Sequence, residues 1–233
     1  MISRMASGNR LLHLPLFPLP DLVHFPRTEL RLHVFEPRYR QLLRDLARSP
    51  GRKWIGMVLL RPDSVEDERG HPAIHPTGTA GRLESVEPLP DGRSNIVLYG
   101  DFRFEIEQEL GERPYRLARV RRIAEPEALF SEVDLPATRR EILGVAASLC
   151  AEMGERFPVP GDSLRELVND ATTEELVNRL ASDLDVPVLR KQQLLTADLP
   201  ERARSLLSIL RSRQRVLDLL RPFRHLAAGA ELN

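Results

Sequence analysis

The chain has 233 residues, and its 34 basic side chains are balanced by 34 acidic ones. Zero net charge excludes the global field that draws a protein onto nucleic acid or an anionic membrane, though not a local basic patch. With 42% hydrophobic and 29% charged residues the composition is that of a soluble globular protein with a sizeable core, and the single Cys150 excludes an intrachain disulfide and fits a reducing compartment. At the N-terminus the apolar run is short and broken by Pro15, Pro18 and Pro20, unlike the continuous core of a secretory signal. No window approaches the roughly 18 apolar residues of a membrane span. A cytoplasmic location is therefore the expectation. Of the basic residues only Lys53 and Lys191 are Lys. The Arg excess reads as a compositional bias, so a single Arg carries little information.

Leu30, Leu32 and Val34 recur at period two, the pattern of a half-buried strand. Pro37 then opens a short helix, with Tyr39, Leu42, Leu43 and Leu46 on one face, ending at Ser49-Pro50-Gly51. Trp54 to Leu60 is an apolar run of strand length, and Arg61 to Pro76 is a polar loop. Leu83 and Val86 mark a weaker strand, Asp91-Gly92 is a hairpin turn, and Ile96 to Tyr99 pairs back. Phe102, Phe104 and Ile106 are expected to face inward, alternating with Arg103, Glu105 and Glu107, and Tyr115 to Ile123 makes one more strand. About six short strands and one early helix predict a small barrel-like sheet over residues 1–124.

Near residue 125 the period changes to three and four, and the charge balance shifts from four excess bases in 1–124 to four excess acids in 125–233. The stretch from Glu125-Pro126-Glu127 to Leu135-Pro136 reads as the linker. Beyond it Ile142, Val145, Ala146, Leu149 and Met153 form one stripe. Ser163 with Glu166 and Thr172 with Glu175 are capping-box pairs, the second followed by Leu176, Leu180 and Leu184. Pro187 breaks the chain before a short segment reaching Leu194-Leu195. Asp198 then caps a long helix through Leu206, Leu210, Leu217 and Leu220, with Pro200 in its first turn. Residues 125–233 thus predict a bundle of four or five helices, and the chain as a whole an α+β protein. The Arg-rich last helix is expected to be neutralised by acids within the bundle.

Several segments together resemble the N-terminal domain of Lon proteases. They are Leu14-Pro15-Leu16-Phe17-Pro18-Leu19, His24-Phe25-Pro26 and Leu32-His33-Val34-Phe35-Glu36-Pro37-Arg38-Tyr39. Ile55 to Leu60, Gly78-Thr79-Ala80-Gly81-Arg82-Leu83 and Tyr99-Gly100-Asp101-Phe102-Arg103-Phe104 extend the likeness, as do Lys191 to Leu195 and Arg202 to Leu207. The resemblance implies a PUA-like β pseudo-barrel with one early helix, followed by an α-helical bundle, and a role in recognising polypeptide substrates. It departs from a full Lon protease in lacking the G-x-x-x-x-G-K-[ST] phosphate loop and any Ser–Lys peptidase motif. No Gly precedes a Lys anywhere, and no G-x-S-x-G elbow is present. The expectation is a non-enzymatic module standing alone, with no catalytic residue, cofactor or metal.

Phe35, Glu36, Pro37, Arg38 and Tyr39 are expected to be structural. Glu36 would offset the amides and dipole of a helix start, Arg38 would pair with a carboxylate, and Tyr39 would bury its ring. His71 and His75 are four apart beside Glu66, Asp67 and Glu68, but Pro72 and Pro76 deny them a helix, so the metal-ligand spacing loses its meaning. Cys150, on or beside its helix's apolar stripe, reads as an inert buried thiol. Arg113, Arg116, Arg119, Arg121 and Arg122 cluster around one strand, whose alternation divides them between two faces. They keep open a PUA-like RNA-binding protein as the alternative; a small hydrolase is the third reading. The leading reading is a binder of polypeptides with exposed apolar segments, feeding a protease or chaperone. Its rim would be Leu14, Leu16, Phe17, Leu19 and Leu22 with the loop after Leu60. The sequence does not set the oligomeric state.

Overall fold

A computed structural model describes residues 11–62, 72–111, 113–124, 134–159, 164, 167 and 171–223. The described elements are β1 (Leu11–Leu19), β2 (Glu29–Val34), α1 (Pro37–Arg48), β3 (Trp54–Leu59), β4 (Thr77–Pro88), β5 (Ser94–Leu110), β6 (Leu117–Arg122), α2 (Asp134–Met153), α3 (Thr173–Asp183), α4 (Val188–Thr196) and α5 (Leu199–Leu220). The chain forms two compact units, residues 1–126 with 186–197, and residues 127–185 with 198–233.

In the first unit the strand order is β2-β5-β4-β3-β1-β6, and β6 also pairs with β5. The path β5–β4–β3–β1–β6 therefore closes on itself. β5 can serve twice because it is long: Ser94 to Tyr99 pairs with β2, and Phe104 to Leu110 with β6. Inside the ring lie Leu14, Leu16, Val58, Ala80, Phe102, Phe104, Ala118 and Val120. A second cluster forms under α1, where Tyr39 and Leu42 meet Phe17, Val34, Ile55, Met57, Ile96, Leu98 and Tyr115. The hairpin at Asp91-Gly92 is present, with Gly92 at φ 81°.

β1 was not legible as a strand, because Pro15 and Pro18 argue against a central position. The register shows how they fit. Leu16 donates its N–H to Arg116 on the β6 side, so Pro18 also turns its nitrogen that way, beyond the last β1–β6 pair at Pro15–Leu117. Pro15 turns its nitrogen towards β3, whose register begins only at Leu16–Gly56. Each proline occupies a place where no ladder donor is required.

One side chain departs from the expected alternation of β5. Arg103 is 3% exposed, because α4 covers this face of the strand. Its Nη1 donates to the carbonyls of Leu195 (2.7 Å), Thr196 (3.2 Å) and Ala197 (2.8 Å), at the end of α4 where helix carbonyls need donors. Gln192 adds a bond from its amide to the Thr77 carbonyl, 3.0 Å away. The short segment after Pro187 thus belongs with the sheet, which corrects the assignment of all of 125–233 to one helical bundle.

In the second unit Ile142, Ala146 and Leu149 of α2, Leu176 and Leu180 of α3, and Leu206 and Leu210 of α5 are fully buried. Thr172 and Glu175 make the capping box, and Asp198 accepts from the Glu201 amide at the start of α5. Leu135 and Pro136 lie in the first turn of α2 rather than in a linker. The rest of that linker, and the Ser163–Glu166 pair, fall outside the described residues. Leu217 is half-buried and Leu220 exposed, so the apolar stripe of α5 outlasts its packing. In α5 Arg211 meets Glu141, Arg202 the Asn178 amide and Arg213 the Asp185 carbonyl, and just beyond it Arg221 meets Glu152 and Asp218.

Replacing Arg103 by Met keeps the apolar stem and leaves three carbonyls without their donor. Hydrogen bonds from a charged donor contribute roughly 1.5–3 kcal/mol, so the variant should lose about 2–4 kcal/mol in urea unfolding, with faster amide exchange in α4. A loss below about 0.5 kcal/mol would remove Arg103 from this role.

Candidate functional site

Phe35 to Tyr39 joins β2 to α1, and its side chains have divergent fates. Pro37 opens α1, where its missing N–H is not needed. Glu36 is the N-cap residue, but its carboxylate makes no capping bond; Arg38 takes it instead, through Nε (2.9 Å) and Nη2 (2.8 Å). The expected offset of the helix amides by Glu36 therefore gives way to an ion pair. The Arg38 guanidinium also lies 4.7 Å from the Tyr39 ring centre. Tyr39 stacks on Phe17 at 3.8 Å, and burial pushes its hydroxyl up to about 12. Phe35 remains 60% exposed, 6.3 Å from the His33 ring.

Much of the expected rim is core. Leu14 and Leu16 fill the ring, and Phe17 packs under Tyr39. β1 has strands on both sides and apolar packing on both faces, so none of these three side chains can line an exposed surface. Leu19 and Leu22 are half-buried. Of the loop after Leu60, residues 63–71 lie outside the described residues, as do His71 and its acidic neighbours. His75 is partly buried, and its backbone N–H bonds Leu59.

The cluster of five arginines is engaged within the chain. Arg113 pairs with Asp45 (3.0 Å), and Arg119 approaches Glu107 (3.9 Å). Arg121 meets Glu105 and Glu107, and Arg122 lies over the Phe102 ring at 4.5 Å. Arg116 is buried and donates to the Pro72 carbonyl at 2.5 Å. These contacts disperse what the sequence offered as a basic patch. Cys150 is only partly buried, its thiol 4.0 Å from the Val159 carbonyl.

The segment before β2 is built around His24. Its Nε2–H donates to the Thr28 carbonyl at 3.1 Å, Thr28 Oγ1 donates to Phe25, and Thr79 Oγ1 donates to the His24 carbonyl. Gly100 admits this turn, since a Cβ there would strike the Phe25 carbonyl. Arg27 takes a positive φ of 63° and donates to Gly100, making a bulge that sets the register of β2.

Among the described strands β2 pairs with β5 alone, along one edge. The Gly100 amide bonds the Thr28 carbonyl, so Leu30, Leu32 and Val34 direct their backbone groups towards β5. Glu29, Arg31 and His33 direct theirs the other way, where no described strand lies. Their side chains are exposed, Glu29 bonding Arg31 (2.8 Å) and His33 bonding Asn95 (2.9 Å). On the opposite face Leu30 and Leu32 are half-buried and pack against the cluster under α1, as do Leu43 and Leu46.

Residues 13–212 match the model of the ATP-dependent protease La (LON) substrate-binding domain. The chain belongs to this family. It is 30% identical over 209 residues to Lon protease 2 of Myxococcus xanthus, covering 88% of this chain and 24% of that protein. Lon protease of Flavobacterium johnsoniae is 27% identical over 194 residues, 82% of this chain and 23% of the relative. The chain thus spans about a quarter of the length of these Lon relatives. In fold it is similar to the N-terminal domain of a Mycobacterium avium complex Lon protease (TM-score 0.62, 17% identity, 85% of this chain and 98% of that one). A Lon N-terminal domain protein from Xanthomonas campestris aligns with TM-score 0.57 and 24% identity, over 84% and 98%. The α+β architecture is that of these Lon domains. The segments that carried the resemblance prove to be framework: Phe102 and Phe104 fill the ring, Arg103 caps α4, and Gln192 ties α4 to β4.

Burial lowers the His24 imidazole from 6.5 to about 4. Neutral His24 is accommodated fully above pH 6.5. As the pH falls from there towards 4, the unfolded chain takes up a proton that the folded chain refuses, and stability is lost. The loss attributable to His24 should approach about 2–3 kcal/mol near pH 4.5. Urea unfolding of the wild type and His24→Gln at pH 7 and 4.5 checks this: the wild type should lose more, by that amount. Equal losses would assign the acid sensitivity elsewhere.

Proposed function

We propose that this chain is a non-catalytic recognition module that binds polypeptides through exposed apolar segments and presents them to a protease or chaperone. The match to a Lon substrate-binding domain over most of the chain carries this reading. The sequence has neither a phosphate loop nor a Ser–Lys peptidase motif, and among the described residues no cluster of His, Cys, Asp and Glu suits a metal ion. A reader of damaged protein needs a surface that accepts what folding normally buries. In the first unit Phe35 and Val86 are exposed, and Leu19, Leu22, Leu30 and Leu32 are half-buried. RNA binding is disfavoured by the internal contacts of Arg113, Arg116, Arg119, Arg121 and Arg122. No described helix is long and apolar enough to cross a membrane.

The test is titration of apolar and scrambled hydrophilic peptides, and of single-stranded RNA, at two salt concentrations. Apolar peptides should bind with a Kd of about 10 μM or weaker, since a shallow surface must offset the ordering of a flexible chain. That affinity should change little with salt. Equal binding of hydrophilic peptides, or tight binding of RNA that weakens steeply with salt, would overturn the proposal. The purified chain should hydrolyse neither ATP nor casein.

A further inference from the structure

Closure of the ring removes the free edges of most strands, and β2 stands outside it. A strand edge with open donors and acceptors is a template for another strand. β2 presents three residues of this kind, Glu29, Arg31 and His33, whose backbone groups face away from β5. The tip of β4, from Glu84 to Pro88, also has no second described neighbour, but it is exposed along both faces and offers an added strand only the exposed Val86 to pack on. At β2 the two faces differ. One carries the Glu29–Arg31 pair, already neutralised within the strand. The other carries Leu30 and Leu32, which continue the cluster under α1 towards the open edge. An extended segment with alternate apolar residues would bury them beside these leucines, turn its polar residues to solvent, and complete the ladder. Phe35 is exposed where β2 ends, its ring beside that of His33 on the other face.

We propose that the free edge of β2, at Glu29, Arg31 and His33, receives an extended polypeptide as an added β-strand, its alternate apolar side chains beside Leu30 and Leu32. This rests on the polypeptide-binding reading above and gives it a binding mode: backbone hydrogen bonds supply sequence-independent affinity, and the leucine face selects for apolar alternation. Such a mode suits a recogniser of unfolded chains, because every extended segment carries the same backbone groups while folded proteins keep theirs paired.

The test uses a labelled peptide of about eight residues alternating Val and Ser, with two counterparts N-methylated on one or the other alternate set of amides. Arg31→Pro removes an outward N–H while sparing the ladder to β5, so the fold should persist, as proline is tolerated on an edge strand. The parent peptide should bind the wild type. At least one methylated peptide should bind about tenfold more weakly or worse, and R31P should weaken the parent peptide similarly with its urea midpoint unchanged. If R31P fails to fold, the methylated peptides decide. Undiminished binding of both methylated peptides, or of the parent to folded R31P, overturns strand addition and leaves polypeptide recognition standing. Absence of any binding to the wild type, by this peptide and by the apolar peptides above, overturns both. A dimer of the free chain in sedimentation that R31P abolishes would make a second copy the occupant and also overturn the proposal.

Discussion

The hydrogen bonds from Arg103 to the end of α4 join parts of the chain more than 90 residues apart in sequence. They solve two problems at once. The carbonyls that end a helix need donors, and a guanidinium withdrawn from water needs acceptors. Without this exchange α4 would rest on β4 and β5 through few contacts, and the face of β5 opposite the ring would be open. The arrangement explains why an Arg stands between Phe102 and Phe104, in a stretch whose other face carries Ile96, Leu98, Phe102 and Phe104. It also explains why a helix distant in sequence belongs to the β-rich unit.

The ring depends on equally local constraints. β5 reaches two partners because it is 17 residues long, and β1 is central because its prolines fall where the ladder changes sides. Gly78 lies so close to Met57 and Phe104 that a Cβ would overlap both, and Gly100 likewise admits the His24 turn. These residues, with the Arg38–Tyr39–Phe17 stack, lie in the segments that resemble the Lon N-terminal domain. Their work is to hold the ring, α1 and α4 together. The proposed binding surface need not share them, since a surface that reads backbone and generic apolar character requires few particular side chains.

β2 is shaped by the same framework. The bulge at Arg27 and Thr28 sets which residues face β5 and which face outward, and the cluster under α1 takes up Leu30 and Leu32. Closure elsewhere leaves β2 beside a ring with few other open edges. Charged side chains on its exposed face are a common restraint on indiscriminate edge pairing, and Glu29 with Arg31 fits that use.

The sequence by itself determined the α+β class, β2 to β6, α1, the caps at Thr172 and Asp198 and the family, because periodicity, turn residues and short motifs act over a few residues. It did not disclose β1, since prolines exclude a central strand unless the ladder happens to need no donor at those places, a condition set by the partners. Burial of Arg103, the placement of α4 with the sheet and the loss of Leu14, Leu16 and Phe17 to the core depend on contacts made across the fold. So does the dispersal of the arginine patch, because each guanidinium finds its acid, carbonyl or ring on another element or at a distance along the chain. Which strand keeps a free edge is decided last of all, because an edge is defined only when every other strand has found its neighbours.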